Sequence, residues 1–174
     1  GKNSFAPAQL SRYVTTVANS GKCYSLSILD KQTDSDGNTV KEYEPELVSE
    51  VNLSSSTWDA IHKGMYEVVH GKLHKEIFSS MHTEVAGKTG TAEEDKTRSN
   101  HALFVSYAPY EKPEISVTVV IPHGYSSSNA MEVAKDVYKY YFSEEESKAD
   151  EKDKKNKKQE QTQAVVPAYT SNTD

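Results

Sequence analysis

Apolar side chains recur at helical spacing in three segments of the chain. The first helix is predicted to follow Pro7, which suits the first helical turn, and to stop at Gly21. A second helix is predicted from near Ser56 to Gly71, and a third from about Asn129 to Phe142. Each segment carries one apolar stripe, which predicts one buried face per helix. The expected buried faces are Leu10, Tyr13, Val14, Val17 and Ala18; Trp58, Ile61, Met65, Val68 and Val69; and Ala130, Val133, Ala134, Val137 and Tyr141.

Three segments between the second and third helices have the composition of strands. They run from Glu84 to Ala92, from His101 to Ala108 and from Glu114 to Ile121. The sequence from Ala108 to Pro113 is typical of a hairpin connection, so these strands are expected to be antiparallel. The whole order predicts an α+β fold in which helices flank an antiparallel sheet.

A further hairpin is predicted between the first two helices. One set of alternate positions, Tyr24, Leu26 and Ile28, is apolar, with Ser25, Ser27 and Leu29 between and after them, and Asp36-Gly37-Asn38 is a turn signal. The second arm, from Thr39 to Tyr43, is polar and is expected to be exposed.

Composition divides the chain into two parts. Residues 1–142 contain all the periodic segments and are predicted to fold. Residues 143–174 are mostly charged or polar and bury too little apolar surface to offset chain entropy. We therefore predict a disordered tail over 143–174.

Charge and cysteine content exclude several function classes. The formal net charge of −6 argues against nucleic acid as the main partner. No apolar run approaches the roughly 18 residues of a membrane span, and no signal peptide is recognised. The single cysteine, Cys23, rules out an internal disulfide and a cysteine-based zinc site. His70 and His74 are four residues apart, but Gly71 interrupts that helix, so neither a metal site nor a cofactor is predicted.

The stretch from Val85 to Glu93, V-A-G-K-T-G-T-A-E, carries the candidate chemistry. Its G-K-T is the ending of a phosphate-binding loop, but that loop needs a glycine where His82 stands. It also needs a helix immediately afterwards, whereas this glycine- and threonine-rich continuation favours a strand. A nucleotide site is therefore disfavoured.

The alternative interpretation is a substrate-binding strand with a Lys-Thr-Gly motif, as in penicillin-recognising serine enzymes. An extended substrate can lie beside an edge strand and bind its backbone groups, and Gly90 would let the substrate backbone approach. Lys88 would place a cation beside a nucleophile and a substrate carboxylate. Thr89 and Thr91 offer hydroxyls, and the Thr91 N–H could face a developing oxyanion.

Six landmarks occur in order along the chain. They are Phe5-x-Pro7-x-Gln9-Leu10-x-x-Tyr13, Ala18-Asn19-x-Gly21, Gly64-Met65-x-x-Val68, Val85 to Glu93, Asn100-His101-Ala102-x-Phe104 and Tyr107-Ala108-Pro109. In this order they resemble class B penicillin-binding proteins, above all the elongation-type D,D-transpeptidases of peptidoglycan synthesis. The resemblance covers residues 1–142, the C-terminal part of the transpeptidase domain, and implies the fold of penicillin-binding transpeptidases and serine β-lactamases.

The resemblance also implies roles for individual residues. A serine attacks the D-Ala-D-Ala carbonyl of a stem peptide, and an amine from a neighbouring stem resolves the acyl-enzyme into a cross-link; β-lactams acylate the same serine. Lys88 would set the electrostatics and the proton path, and Thr89 would bind the terminal carboxylate. Gly90 would contact substrate, and the Thr91 N–H would form half of the oxyanion hole.

Two of the three catalytic motifs of the family are not recognised in this chain. The S-x-x-K and S-x-N motifs are expected upstream of Gly1, in the other half of the same domain. Ser127-Ser128-Asn129 has the letters of the latter but begins the last helix, so it is interpreted as a cap. The chain alone is therefore predicted not to be acylated.

The resemblance extends to partners and location. It implies a membrane anchor upstream, a catalytic domain on the outer face of the cell membrane and a glycosyltransferase partner of the elongation machinery. Two alternatives stay open: a β-lactam sensor or β-lactamase-like domain, and a non-catalytic scaffold module of the cell-wall machinery.

Overall fold

The computed structural model describes residues 4–143. The chain divides into two compact units, Gly1–Tyr138 and Lys139–Asp174, and the architecture below concerns the first. The predicted tail, apart from Ser143, lies outside the described residues, so that boundary stays a prediction. The elements are α1 (Pro7–Ala18), β1 (Lys22–Tyr24), β2 (Lys31–Thr33), β3 (Thr39–Glu42), β4 (Leu47–Glu50), α2 (Ser55–His70), α3 (Lys75–Phe78), β5 (Ala86–Ala92), β6 (His101–Ala108), β7 (Ile115–Ile121) and α4 (127–143).

The main sheet is antiparallel, with the strand order β5-β6-β7. Its register pairs Lys88 with Val105 and Phe104 with Val119. α1 and α2 pack on one face, where Val14 of α1 joins Ala86 and Tyr107 in a buried cluster. The predicted fold class, helices flanking an antiparallel sheet, is therefore confirmed.

The opposite face of the sheet carries α4. Tyr138 of this helix is fully buried and donates its hydroxyl to Ser106 Oγ at 2.9 Å. Ser106 in turn donates to the Val117 carbonyl oxygen at 3.2 Å, which links the helix to two strands. Burial raises the pKa of Tyr138, so this hydroxyl stays neutral and serves as a hydrogen-bond donor.

Local signals place the helix ends. Pro7 opens α1, and Gly21, at φ 99°, follows its C-terminus in the left-handed conformation that glycine adopts without strain. The cap of α2 is Ser54, whose Oγ accepts the Thr57 N–H at 3.2 Å, two residues before the predicted start at Ser56.

The predicted early hairpin is right in its turn and wrong in its first arm. Lys31–Thr33 pairs with Thr39–Glu42 around the predicted turn, but the alternating apolar residues before it form no arm. Leu26 and Ile28 are 56% and 102% exposed. The preceding strand, Lys22–Tyr24, pairs instead with Leu47–Glu50. A turn fixes the pairing only of the residues next to it, so the strand Lys22–Tyr24 takes its partner from a segment farther along the chain.

The buried face of α4 is also shifted from the predicted one. Val133 and Val137 are 46% and 41% exposed, whereas Met131 and Tyr138 are fully buried beside Ala130 and Ala134. The small alanines allow the helix to approach the sheet, and the hydroxyl contact to Ser106 fixes its rotation. In α1, similarly, Tyr13 is 62% exposed although its stripe neighbours Val14 and Val17 are buried.

Candidate active site

The Lys-Thr-Gly segment lies in β5, at the edge of the main sheet. Within the described residues β5 pairs with β6 only, so its other edge has no strand partner. Ala86 and Gly87 at its start are buried, Thr89 and Gly90 are half-buried, and Lys88, Thr91 and Ala92 are exposed. The strand therefore runs from the core to the surface, and its chemically useful residues lie on the exposed part.

Contacts from α2 and from the β6–β7 connection fix the entry into β5. Tyr66 of α2 donates its hydroxyl to Glu84 at 2.7 Å, and the Tyr110 N–H donates to the Glu84 carbonyl oxygen at 2.9 Å. Bonding to the Glu84 carboxylate raises the pKa of Tyr66, because it favours the protonated phenol. His70 Nε2 lies 3.1 Å from the carbonyl oxygen of Val85, which is fully buried. This anchoring determines where the following Lys-Thr-Gly residues lie.

The two glycines of β5 are required to different degrees. A Cβ on Gly87 would lie 2.5 Å from the Phe104 ring and 2.9 Å from Ser106 Cβ, so a side chain there would displace the strand. A Cβ on Gly90 would lie 3.2 Å from Leu103 Cβ, and a small shift would accommodate it. Packing alone explains Gly87, whereas Gly90 is not needed for packing against β6.

The polar side chains of the exposed segment make few internal bonds. Lys88 Nζ donates to the Thr89 carbonyl oxygen at 2.8 Å, and it forms no ion pair within residues 4–143. In the same part of the chain, the hydroxyls of Thr89 and Thr91 form no hydrogen bond with protein groups. One cation and two hydroxyls are thus available to a ligand at the free edge. The structure brings these predicted residues together on one strand, and their roles stay predictions.

The predicted structural roles of the other polar or aromatic residues hold in part. Trp58 is buried at 9% exposure, as predicted. His70 and His74 contact backbone carbonyl oxygens, the latter through Nδ1 to Val68 at 2.9 Å. In the first turn of α4, the side-chain amide of Asn129 donates to the Gly124 carbonyl oxygen at 2.8 Å. The Ser126 hydroxyl oxygen accepts the Ser128 N–H, so the cap of α4 includes Ser126, one residue before the predicted Ser127-Ser128-Asn129 segment.

One grouping was not predicted from the sequence. Glu94, His101 and His123 meet beyond the end of β5. Two of these residues are joined directly, since the backbone N–H of His123 donates to His101 Nδ1 at 3.0 Å. The residues are too far apart in sequence for local spacing to reveal the cluster; the pairing of β6 with β7 assembles it.

The chain matches the family described as the penicillin binding protein transpeptidase domain over residues 1–139. It belongs to this family. The resemblance inferred from the sequence landmarks is thereby confirmed.

Individual relatives agree with the family assignment. Penicillin-binding protein 2B of Streptococcus pneumoniae strain R6 is 29% identical over 153 residues, which are 80% of this chain and 22% of that protein. Its solved structure superimposes with a TM-score of 0.69 at 28% identity, over 79% of this chain and 25% of that one. Peptidoglycan D,D-transpeptidase MrdA of Haemophilus influenzae is 29% identical over 157 residues, which are 79% of this chain and 24% of that protein.

A more distant structure supports the fold. The imipenem acyl-enzyme complex of penicillin-binding protein A from Mycobacterium tuberculosis gives a TM-score of 0.70 at 20% identity, over 82% of this chain and 32% of that one. The chain spans about a quarter of the length of the curated relatives above. Among its described helices, none has the length and apolar character needed to cross a membrane.

Proposed function

We propose that this chain supplies the substrate-binding edge strand of a peptidoglycan D,D-transpeptidase that cross-links stem peptides and is acylated by β-lactams. The observation that carries the proposal is the position of Lys88, Thr89 and Gly90 on the free edge of β5 in a transpeptidase-family domain. An extended peptide ending in D-Ala-D-Ala can pair with such an edge through its backbone.

The proposed reaction proceeds in two acyl transfers. A serine hydroxyl attacks the carbonyl between the two D-alanines, the C–N bond breaks, and the terminal D-alanine leaves with a protonated amine. An amine of a neighbouring stem then attacks the ester, the C–O bond breaks, and the serine is regenerated. We place this serine, with the S-x-x-K and S-x-N motifs, upstream of Gly1 in the same domain. A β-lactam is opened by the same attack and leaves a slowly hydrolysed ester.

Lys88 and Thr89 would recognise the charged end of the substrate. The Lys88 ammonium is exposed and has no carboxylate partner within residues 4–143, so binding an anionic ligand would break no ion pair. Its bond to the Thr89 carbonyl oxygen is local and can be exchanged. The Thr89 hydroxyl would donate to the terminal carboxylate, and Lys88 would set the electrostatics and the proton path at the serine.

Thr91 and Gly90 would act mainly through the backbone. An N–H from Thr91 would donate to the oxyanion of the tetrahedral intermediate, with the serine N–H as the second donor; loss of one such donor costs about 10²–10³ in rate. At Gly90 the lack of a side chain would let the substrate backbone approach the strand, which agrees with the small packing demand at this position.

The proposal includes the setting of the whole protein. An upstream membrane helix would anchor it, with the transpeptidase domain on the outer face of the cell membrane. There the enzyme would act beside a glycosyltransferase of the elongation machinery, since cross-linking needs freshly polymerised strands. Elongation is favoured over division because the landmarks of this chain resemble elongation-type members.

The test is the intact mass of the protein after incubation with benzylpenicillin. Two forms are compared: the 174-residue chain, and the same chain extended by the coding sequence that precedes Gly1. We expect one penicilloyl adduct on the extended form and none on the shorter one. A stoichiometric adduct on the short chain would place the nucleophile within these residues and overturn its proposed location.

The lifetime of the adduct, together with a cross-linking assay on D-Ala-D-Ala peptides, separates the alternatives. A β-lactamase-like domain would release the adduct rapidly, and a sensor would keep it but form no cross-link with D-Ala-D-Ala peptides. A scaffold module would show no adduct in either form. Only a long-lived adduct together with cross-linking supports the transpeptidase.

Variants of the extended form test Lys88. Lys88→Ala is expected to slow acylation by at least about 10²-fold, because the loss of a general acid-base group usually lowers a rate by that much. Lys63→Ala is the matched control, because Lys63 is also exposed and lies on α2 in a helix-surface ion pair with Glu67. Equal acylation rates in the two variants would contradict the role proposed for Lys88.

A further inference from the structure

Three potential metal ligands meet at the end of the main sheet, next to the C-terminus of β5. Glu94 lies two residues beyond Ala92, His101 begins β6, and His123 follows β7 by two residues. The Glu94 Oε2 atom is 3.6 Å from His101 Nε2 and 3.6 Å from His123 Nε2. All three ligand atoms lie within 4.8 Å of one another.

The spacing is close to that of a metal site. A tetrahedral Zn²⁺ with bonds of about 2.0–2.1 Å separates its ligand atoms by about 3.3 Å. The two Glu94–histidine separations exceed this by a few tenths of an ångström, and the histidine nitrogens lie within 4.8 Å of each other, so the two rings would rotate toward each other to bind the ion. The side chains are 55%, 26% and 37% exposed for Glu94, His101 and His123, so an ion can enter from solvent.

The hydrogen bonds of His123 prepare its ring for a metal. Its Nδ1 lies 3.0 Å from the Ser99 carbonyl oxygen, which can only accept, so Nδ1 carries the proton. The lone pair of the neutral ring is then on Nε2, directed toward the Glu94 carboxylate. An N–H donated to a backbone carbonyl is the usual outer contact of metal-binding histidines. Either a proton on Nε2 or a metal ion can bridge this nitrogen and the Glu94 carboxylate, and the metal is the occupant tested below.

We infer that Glu94, His101 and His123 form a binding site for a divalent transition metal, with Zn²⁺ as the best-matched ion. Two imidazoles and one carboxylate suit zinc better than Ca²⁺ or Mg²⁺, which prefer oxygen ligands. Three protein ligands leave one position for water. The inference is independent of the proposed transpeptidase activity.

Metal binding requires one change at His101. Its Nδ1 accepts the His123 N–H at 3.0 Å, so the neutral ring carries its proton on Nε2. To ligate through Nε2, the ring must move this proton to Nδ1 and give up the bond from the His123 amide. One backbone hydrogen bond is thus exchanged for one metal–nitrogen bond, with no net proton release from His101.

The site would join three connected segments. The β5–β6 connection carries Glu94, while His101 and His123 belong to the neighbouring ends of β6 and β7. A bound metal would fix this connection where it leaves the Lys-Thr-Gly strand.

The test is zinc titration of the full 174-residue chain after removal of metal with a chelator. Isothermal titration calorimetry is expected to show one equivalent of Zn²⁺ bound in the wild type. His123→Gln and Glu94→Gln should each lower the affinity at least about 10-fold, since even the loss of an outer-shell contact costs that much. His82→Gln is the control, because His82 is exposed and lies outside the cluster.

Two spectroscopic measurements identify the ligands. Co²⁺ in place of Zn²⁺ should give the intense visible bands of tetrahedral coordination in the wild type and in His82→Gln, and not in His123→Gln. Side-chain ¹⁵N spectra should show His101 changing from the Nε2–H to the Nδ1–H form as zinc is added.

The outcomes divide cleanly. Absence of saturable zinc binding to the wild type overturns the inference, and so does equal affinity in all four proteins. A loss in His82→Gln comparable to that in His123→Gln would place the metal elsewhere. Circular dichroism of each variant establishes that it is folded, and all three substituted side chains are at least partly exposed.

Discussion

A Cβ atom on Gly87 would lie 2.5 Å from the ring of Phe104, a fully buried residue of β6. The ring also contacts Phe78 of α3, with 6.0 Å between the centroids, so it has little freedom to move away. The start of the Lys-Thr-Gly strand is therefore held by packing, and the position of its exposed end depends on that contact.

Gly87→Ala is expected to lower the free energy of unfolding by about 1–3 kcal/mol, the usual cost of overpacking a filled core. Gly90→Ala serves as the control. Its Cβ would meet only Leu103 at 3.2 Å, and the less flexible unfolded chain partly offsets that contact. Urea denaturation of both variants measures the difference. If Gly90→Ala were the more destabilising of the two, the packing argument would be wrong.

The buried contact between Tyr138 and Ser106 is expected to stabilise the attachment of α4 to the sheet. Ser106→Ala should cost about 1–3 kcal/mol, because the buried Tyr138 hydroxyl loses this acceptor. The measurement is a double-mutant cycle with Tyr138→Phe, in which denaturant unfolding gives the free energy of unfolding of each protein. A coupling energy of about 0.5–3 kcal/mol is expected; additive effects would show that the two hydroxyls do not interact.

The thiol of Cys23 is expected to react at lower pH than an ordinary cysteine. The Thr16 hydroxyl and the Arg12 guanidinium lower the pKa of Cys23, and Arg12 Nε donates to Sγ at 3.1 Å. The Thr16 hydroxyl also lies 2.8 Å from the Arg12 carbonyl oxygen and divides its one proton between two acceptors, so Arg12 is the better partner to test. Because the chain has one cysteine, alkylation by iodoacetamide reports on this thiol alone.

Arg12→Gln should therefore move the midpoint of the alkylation rate upward in pH, toward the ordinary value. Arg98→Gln, a change at an exposed arginine of the β5–β6 connection, should leave the midpoint where it is. A midpoint that does not respond to Arg12→Gln would remove the guanidinium as a cause.

The turn of the β2–β3 hairpin is expected to weaken in acid. The side chain and the backbone N–H of Asn38 lower the pKa of Asp34. Asp34 Oδ1 accepts the backbone N–H of Asn38 at 2.8 Å, and Asp34 Oδ2 accepts the side-chain amide of Asn38 at 3.1 Å. The pKa is lower in the folded than in the unfolded state. The stabilisation is therefore complete above the unfolded value of about 3.9 and is lost as the pH falls through the folded value.

Carboxyl ¹³C shifts of Asp34, followed by NMR across that pH range, measure this directly. Asn38→Ala removes the largest cause and should raise the midpoint toward 3.9, a value typical of free aspartate. If Asp34 titrates at the same pH in wild type and Asn38→Ala, the hydrogen bonds in the turn are not what lowers it.

Local signals were sufficient for most elements. Pro7 and Gly21 bracket the first helix as predicted, and His101 and Ala108 are the observed ends of β6. The strand that carries the candidate site was predicted to begin at Glu84 and begins at Ala86, and it ends at Ala92 as predicted. These boundaries depend on backbone preferences of neighbouring residues, which the sequence contains directly.

Choices between similar local alternatives could not be predicted. Val133 and Val137 are as apolar as Met131, yet α4 buries the stripe with Met131 because Ser106 accepts a bond from Tyr138. In the same way, Leu26 and Ile28 have the alternation of a strand but no partner strand within the described residues, so they stay exposed.

The sequence by itself determined the family, the three long helices, the three strands of the main sheet and the place of Lys88, Thr89, Gly90 and Thr91 on one of those strands. It could do so because motif and periodicity are properties of contiguous residues. The tertiary structure alone decided that this strand lies at a sheet edge and that Glu94, His101 and His123 meet beside it. Strand order and the pairing of distant segments depend on packing free energies summed over many residues, which no local window contains.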